Sequence, residues 1–176
     1  MGWLFTQGQT RKQLITRLTS NWENENGTSF TCLRHTCTGN NLWTVWEVTK
    51  EGKSYRFIGL DMMKPQAGYG WGYKDLDERA GPTYVNCPEA YLDMVDDPGG
   101  YATEWRVRVR EYWATMRSQR AKVAGLKPGM VISLVGTIIP HVTIYSVTGQ
   151  RVTGSYMGTT YRIPLAMLGE PLATLG

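Results

Sequence analysis

Side chains able to do chemistry crowd most closely between Gly68 and Val95, where the chain reads GYGWGYKDLDERAGPTYVNCPEAYLDMV. Read as a strand, this stretch turns Tyr73, Asp75 and Asp77 to one face and Lys74, Leu76 and Glu78 to the other. Two carboxylates beside a phenol suit either a hard cation or a division of acid and base work, because neighbouring carboxylates push one pKa upward. The competing reading is structural: the acids close the turn between Asp77 and Gly81 and pair with Lys74 or Arg79.

Cys87 stands just before Pro88, which the sequence places at the first position of a helix, with Cys87 or Asn86 as its cap. A thiol at a helix N-terminus meets unpaired N–H groups, which lower its pKa and favour the thiolate nucleophile. Such a nucleophile wants a base, and neither histidine, His35 or His141, is adjacent in sequence. The plainer role for Cys87 is a small, half-buried side chain. Cys32, His35 and Cys37 have a spacing that invites zinc, with Cys87 as fourth ligand, but strict strand alternation puts Cys32 on the opposite face from the other two. No metal and no cofactor is therefore expected, and no nucleotide-binding glycine loop or nucleophile elbow occurs.

A second constellation lies on a helix. From Glu104 to Lys122 six basic residues stand against two acids, which accounts for the whole net charge of +4. At helical spacing Arg106, Arg110 and Arg117 fall within a sector of about 40°, beside Trp113. Guanidinium groups next to an indole suit phosphate contact with base stacking, or an acidic protein partner. Equally, a solvated helix face can carry arginine stems over the edge of the core.

The elements that would position these groups follow from periodicity and turn chemistry. Trp3-Leu4-Phe5 reads as a short buried strand, and Thr10 with Gln13 forms a capping box for a helix from about Thr10 to Trp22. Ser29–Thr38, Leu42–Lys50 and Lys53–Met62 form an antiparallel meander whose middle strand has apolar bulk on both faces. Lys64 to Gly68 is a loop, and Tyr69 to Leu76 a glycine-rich strand. After the helix begun at Pro88, which ends near Asp97-Pro98, a longer helix spans Tyr101 to Lys122, with Trp105, Val109, Tyr112, Trp113 and Met116 recurring on one side. Beyond Gly125 come short strands, at Met130–Val135, His141–Val147, Arg151–Tyr156 and Thr160–Pro164. The fold expected is α+β: an antiparallel sheet with packed helices over residues 1–123, then a small SH3-like β-barrel over residues 124–176.

With 176 residues, 41% of them hydrophobic, the chain can bury a core without disulfide staples. Three cysteines are an odd number, which fits a reducing cytoplasm better than an exported disulfide framework. No basic segment precedes an apolar run at the start, and no stretch is long and apolar enough to span a bilayer, so neither export nor a membrane is expected.

Met1 to Phe5, Gly72-Tyr73-Lys74-Asp75-Leu76-Asp77-Glu78, Gly81-Pro82 and Cys87-Pro88, with a closing Tyr161-Arg162-Ile163-Pro164, together resemble a family of small proteins from bacterial plasmids, prophages and phages. That resemblance carries no reaction and no catalytic residues. It implies a mobile-element accessory protein in the host cytoplasm that acts by macromolecular binding, such as an anti-defence inhibitor. Its partner would be a host protein or nucleic acid, met through Arg106, Arg110, Trp113 and Arg117. The alternatives are an enzyme using Tyr73, Asp75, Asp77 and Cys87, and a nucleic-acid-binding or virion assembly protein.

Overall fold

A computed structural model of the protein describes residues 2–96, 99–149 and 151–172. The chain forms two compact units, residues 1–113 and 114–176, and the division falls within the long helix, ahead of the Ala124-Gly125 turn. The architecture is α+β with antiparallel strand pairing throughout.

In the first unit β1 (Leu4–Thr6), α1 (Arg11–Leu18) and β2 (Trp22–Glu23) precede the meander β3 (Ser29–Thr38), β4 (Asn41–Lys50), β5 (Lys53–Gln66) and β6 (Gly70–Asp77). The six strands lie in the order β1-β6-β5-β4-β3-β2. Tight turns fix this register: Glu51 and Gly52 both take positive φ between the paired Lys50 and Lys53, the backbone that a two-residue hairpin requires. A 3-10 turn (Glu78–Ala80) and a 3-10 helix (Glu89–Met94) then lead to α2 (Gly100–Ala124).

One face of the sheet is closed. Trp43, Val45, Ile58 and Leu60 cluster with Cys87, Tyr91 and Leu92 and with Trp105 and Val109 of α2, all nearly or wholly buried. On the other face α1 covers only one end, where Leu14 packs with Leu42 and Met63. Each residue of the Leu42, Thr44, Trp46 series points to that second face, so the sheet beyond α1 stays open around the half-buried Trp46. α1 begins on the expected capping box, in which Thr10 accepts from the Gln13 backbone and Gln13 accepts from the Thr10 backbone.

Several elements differ from expectation. α1 stops at Leu18 instead of continuing to Trp22, because the Thr19 and Ser20 hydroxyls donate back to the carbonyls of Ile15 and Thr16 and Trp22 leaves to pair beside Phe30. Leu4 and Phe5 are 53% and 47% exposed, since β1 is an edge strand paired only with β6. Lys64 to Gln66 belongs to β5 and not to a loop. β4 ends its pairing at Met62, so Pro65 has a neighbour on one side only and its missing N–H costs no ladder bond there. Pro88 is the N-cap and not the first helical residue, and the segment it starts is a six-residue 3-10 helix ending at Met94. The end expected at Asp97-Pro98 lies outside the described residues.

The second unit contains β7 (Val131–Leu134), β8 (His141–Thr148), β9 (Arg151–Tyr156), β10 (Thr159–Ile163), a 3-10 turn (Leu165–Met167) and β11 (Leu168–Pro171). They form a five-stranded sheet in the order β10-β9-β8-β7-β11, so the last strand returns to pair with the first. Its core gathers Ile132, Val142, Ile144, Val152, Ile163 and Leu168 with Val123 from the end of α2. No described helix is long and apolar enough to cross a membrane.

Candidate functional site

Residues that pair directly across an antiparallel ladder share a face. Asp75 pairs with Asp61, Asp77 with Gly59 and Tyr73 with Met63, which sets Tyr73, Asp75 and Asp77 together on the open face, as alternation requires, and adds Asp61 from β5. With Trp46, Phe57 and the end of α1 they line a cleft of about 430 Å³, within the range of small-ligand sites. Trp22 and Phe30 form its far wall, their rings stacked 3.9 Å apart at 4°.

The floor of the cleft exists because residue 59 is glycine. A Cβ there would stand 2.5 Å from the Thr44 hydroxyl and 3.3 Å from the Trp46 indole nitrogen. Beneath Gly59 the Thr44 hydroxyl is wholly buried and makes no hydrogen bond among the described residues. Asp61 is only 8% exposed, and no hydrogen bond among the described residues reaches its carboxyl. Burial pushes its pKa up to about 7, and the Asp75 carboxylate pushes the same way, while the Arg17 guanidinium opposes them. Arg17 lies over the Tyr73 ring, its guanidinium carbon 5.1 Å from the centroid. At neutral pH the cleft therefore holds a carboxyl that exchanges its proton readily beside one that is exposed.

Asp77 has a structural task. One oxygen accepts from the Arg79 backbone at 2.8 Å, the other from the Arg79 side chain at 2.6 Å, so it caps the 3-10 turn. Cys87 does not join this site. It is fully buried on the closed face among Trp43, Tyr91 and Trp105, and burial raises its thiol pKa far above the ordinary value, with Glu78 adding to the effect. The nucleophile expectation is corrected accordingly: no thiolate forms in an apolar core beside a carboxylate.

The candidate zinc residues face otherwise than strict alternation places them. The ladder shifts between Cys32 and Arg34, and this bulge re-phases the strand so that Cys32, His35 and Cys37 pair with Trp46, Thr44 and Leu42, all on the open face. Cys87, the fourth residue of that set, lies on the opposite face, and no group of three or more metal-ligating side chains occurs among the described residues.

The arginine stripe is also reduced. Arg106 is 7% exposed and forks onto Glu78, Nε to Oε2 at 2.6 Å and Nη2 to Oε1 at 2.9 Å. Glu78 in turn accepts from the Ile58 backbone at 3.0 Å, so the pair anchors α2 to the sheet and is withdrawn from any partner. Trp113 is half-buried, its indole N–H held by the Cys87 carbonyl at 2.6 Å. Arg110 remains exposed in the first unit, and Arg117, exposed in the second, has an interaction of its own.

Sequence reasoning missed Asp61, Thr44 and Trp46 as site residues. The available signal was a lone carboxylate inside the apolar run Phe57 to Met63. Comparison of the chain with protein-family models, with curated proteins and with solved structures returned no match.

Proposed function

We propose that the protein works by binding a host protein through the open cleft of its first unit, in the mobile-element setting that its resemblance implies. The observation that carries this reading is Asp61, which lines the cleft at 8% exposure and whose carboxyl makes no hydrogen bond among the described residues. A buried polar group left unpaired costs about 1–3 kcal/mol, and a ligand that pairs the Asp61 carboxyl recovers that cost. Inhibition of a host defence component is the role such a module would have. Covalent catalysis at Cys87 is not part of the proposal, because its thiol stays protonated in the core. Nucleic acid fits this cleft poorly, since Asp61 and Asp75 would face its phosphates. For the second unit we propose SH3-like closure, supported by a 3-10 turn before the last strand and by the pairing of that strand with the first.

Tagged full-length protein, expressed in the infected host and recovered with and without nuclease, tests the reading. The wild type and Arg110→Glu should retain a nuclease-resistant protein partner that Asp75→Lys loses, both changes being at exposed positions. Loss with Arg110→Glu but not with Asp75→Lys transfers recognition to α2, and nuclease sensitivity transfers it to nucleic acid.

A further inference from the structure

We propose that the occupant of the cleft is the guanidinium of an arginine side chain presented by the partner protein, with its N–H groups turned to Asp61 and Asp75 against the aromatic walls. The inference rests on the reading of the cleft as the recognition site and names what it recognises. Charge complementarity is the first ground. Asp77 is neutralised by Arg79 at 2.6 Å, which leaves Asp61 and Asp75 against Arg17 alone, a surplus of negative charge in a partly buried hollow. Asp75 makes no hydrogen bond or ion pair among the described residues, and the Asp61 carboxyl makes no hydrogen bond.

Guanidinium is favoured over other cations by what the cleft already contains. Arg17 lies 5.1 Å over Tyr73 close to Asp61, and Arg79 lies 5.2 Å over Phe57 while bonded to Asp77. Twice, then, a ring of this cleft carries a guanidinium beside a carboxylate, a combination that suits a planar, weakly hydrated cation with several donors. A hard metal ion demands about six oxygens in a compact shell, which two carboxylates and aromatic walls do not supply. The half-buried Trp46 indole N–H is a donor that no cation can use, whereas the carbonyls of a peptide carrying the arginine can.

Proton linkage supplies an independent handle. Asp61 is faced by Asp75, Tyr73 and Asp77 on β6, by Arg17 on α1 and by Cys32 on β3. Because a cation prefers the ionised carboxylate, a proton on Asp61 competes with the ligand, and affinity should fall as pH drops below about 7.

The full chain, labelled with nitrogen-15, is titrated with N-acetyl-arginine amide, with the neutral isostere N-acetyl-citrulline amide and with magnesium chloride. The Trp46 indole and Gly59 amide signals are followed. The arginine probe should shift both with millimolar affinity, and the citrulline probe should bind roughly tenfold more weakly or worse. Asp61→Asn and, at the exposed rim, Asp75→Asn should each weaken the arginine probe by a similar factor, and Asp61→Asn should remove the pH dependence. Equal shifts from citrulline overturn the guanidinium assignment while leaving the cleft as a binding site. Magnesium competing with the arginine probe overturns it in favour of a metal. Silence of Trp46 and Gly59 toward all probes overturns both the assignment and the cleft reading.

Discussion

Asp61→Asn should make the first unit more stable at neutral pH, and the gain should grow with pH in a defined window. The side chain is 8% exposed, and its pKa rises from an ordinary 3.8 to about 7 under burial and the Asp75 carboxylate. Between about pH 4 and pH 7 the folded protein keeps a proton on Asp61 that the unfolded chain has released, so stability falls as pH rises through that window and levels off above it. At about 1.4 kcal/mol per pH unit the loss amounts to about 4 kcal/mol, a large share of the stability of an ordinary domain. Asparagine keeps the shape and removes the titration. All seven tryptophans lie within residues 1–113, so urea unfolding followed by tryptophan emission reads this unit without contribution from the other. Subtracting the Asp61→Asn curve from the wild-type curve cancels the remaining titrating groups, apart from those coupled to Asp61. The difference should change by about 4 kcal/mol across the window, and by less in an Asp75→Asn background because one of the two causes is gone. Curves that stay parallel from about pH 4 to about pH 9 would refute the reasoning, since Asp61 would then titrate alike in both states.

Gly59→Ala places a methyl 2.5 Å from Thr44 Oγ and should cost about 1–3 kcal/mol in the same urea assay, with most of the loss recovered in Gly59→Ala/Thr44→Ala. Arg106→Ala strands Glu78, 1% exposed, and should cost about 3–5 kcal/mol, whereas the paired change Glu78→Gln with Arg106→Met should be far milder because no buried charge remains. In thiol labelling of the native protein, Cys32 and Cys37 should react while Cys87 reacts only on unfolding, and Cys87→Ala should abolish that late phase.

Local rules made much of this fold readable. The three strands of the meander stand within a few residues of where apolar alternation and the Gly39 and Glu51-Gly52 turns place them. The Thr10 capping box and the Trp105, Val109 side of α2 were equally plain, because each is decided by residues within one or two helical turns. What escaped depends on contacts distant in sequence. Asp61 becomes a site residue only through the register that sets it opposite Asp75, and Arg106 reads as surface until Glu78, 28 positions away, is known to meet it. The bulge after Cys32 shows how little it takes: one unpaired residue reverses the face of everything that follows, which strict alternation cannot foresee. β11 was missed because Leu168-Gly169-Glu170-Pro171 lacks alternation. It is a strand because β7 offers an edge, and Gly169 lets it lie close against Ser133, where the Cβ of any other residue would collide with the Ser133 hydroxyl.

The most direct test of the cleft as recognition site is a nitrogen-15 chemical-shift map of the full chain on addition of the partner recovered from the host. The largest changes should fall on the Trp46 indole and on the amides of Gly59, Asp61 and Tyr73, with Arg110 and its neighbours on α2 unmoved. Changes confined to the Arg110 face, with the cleft signals unchanged, would contradict it.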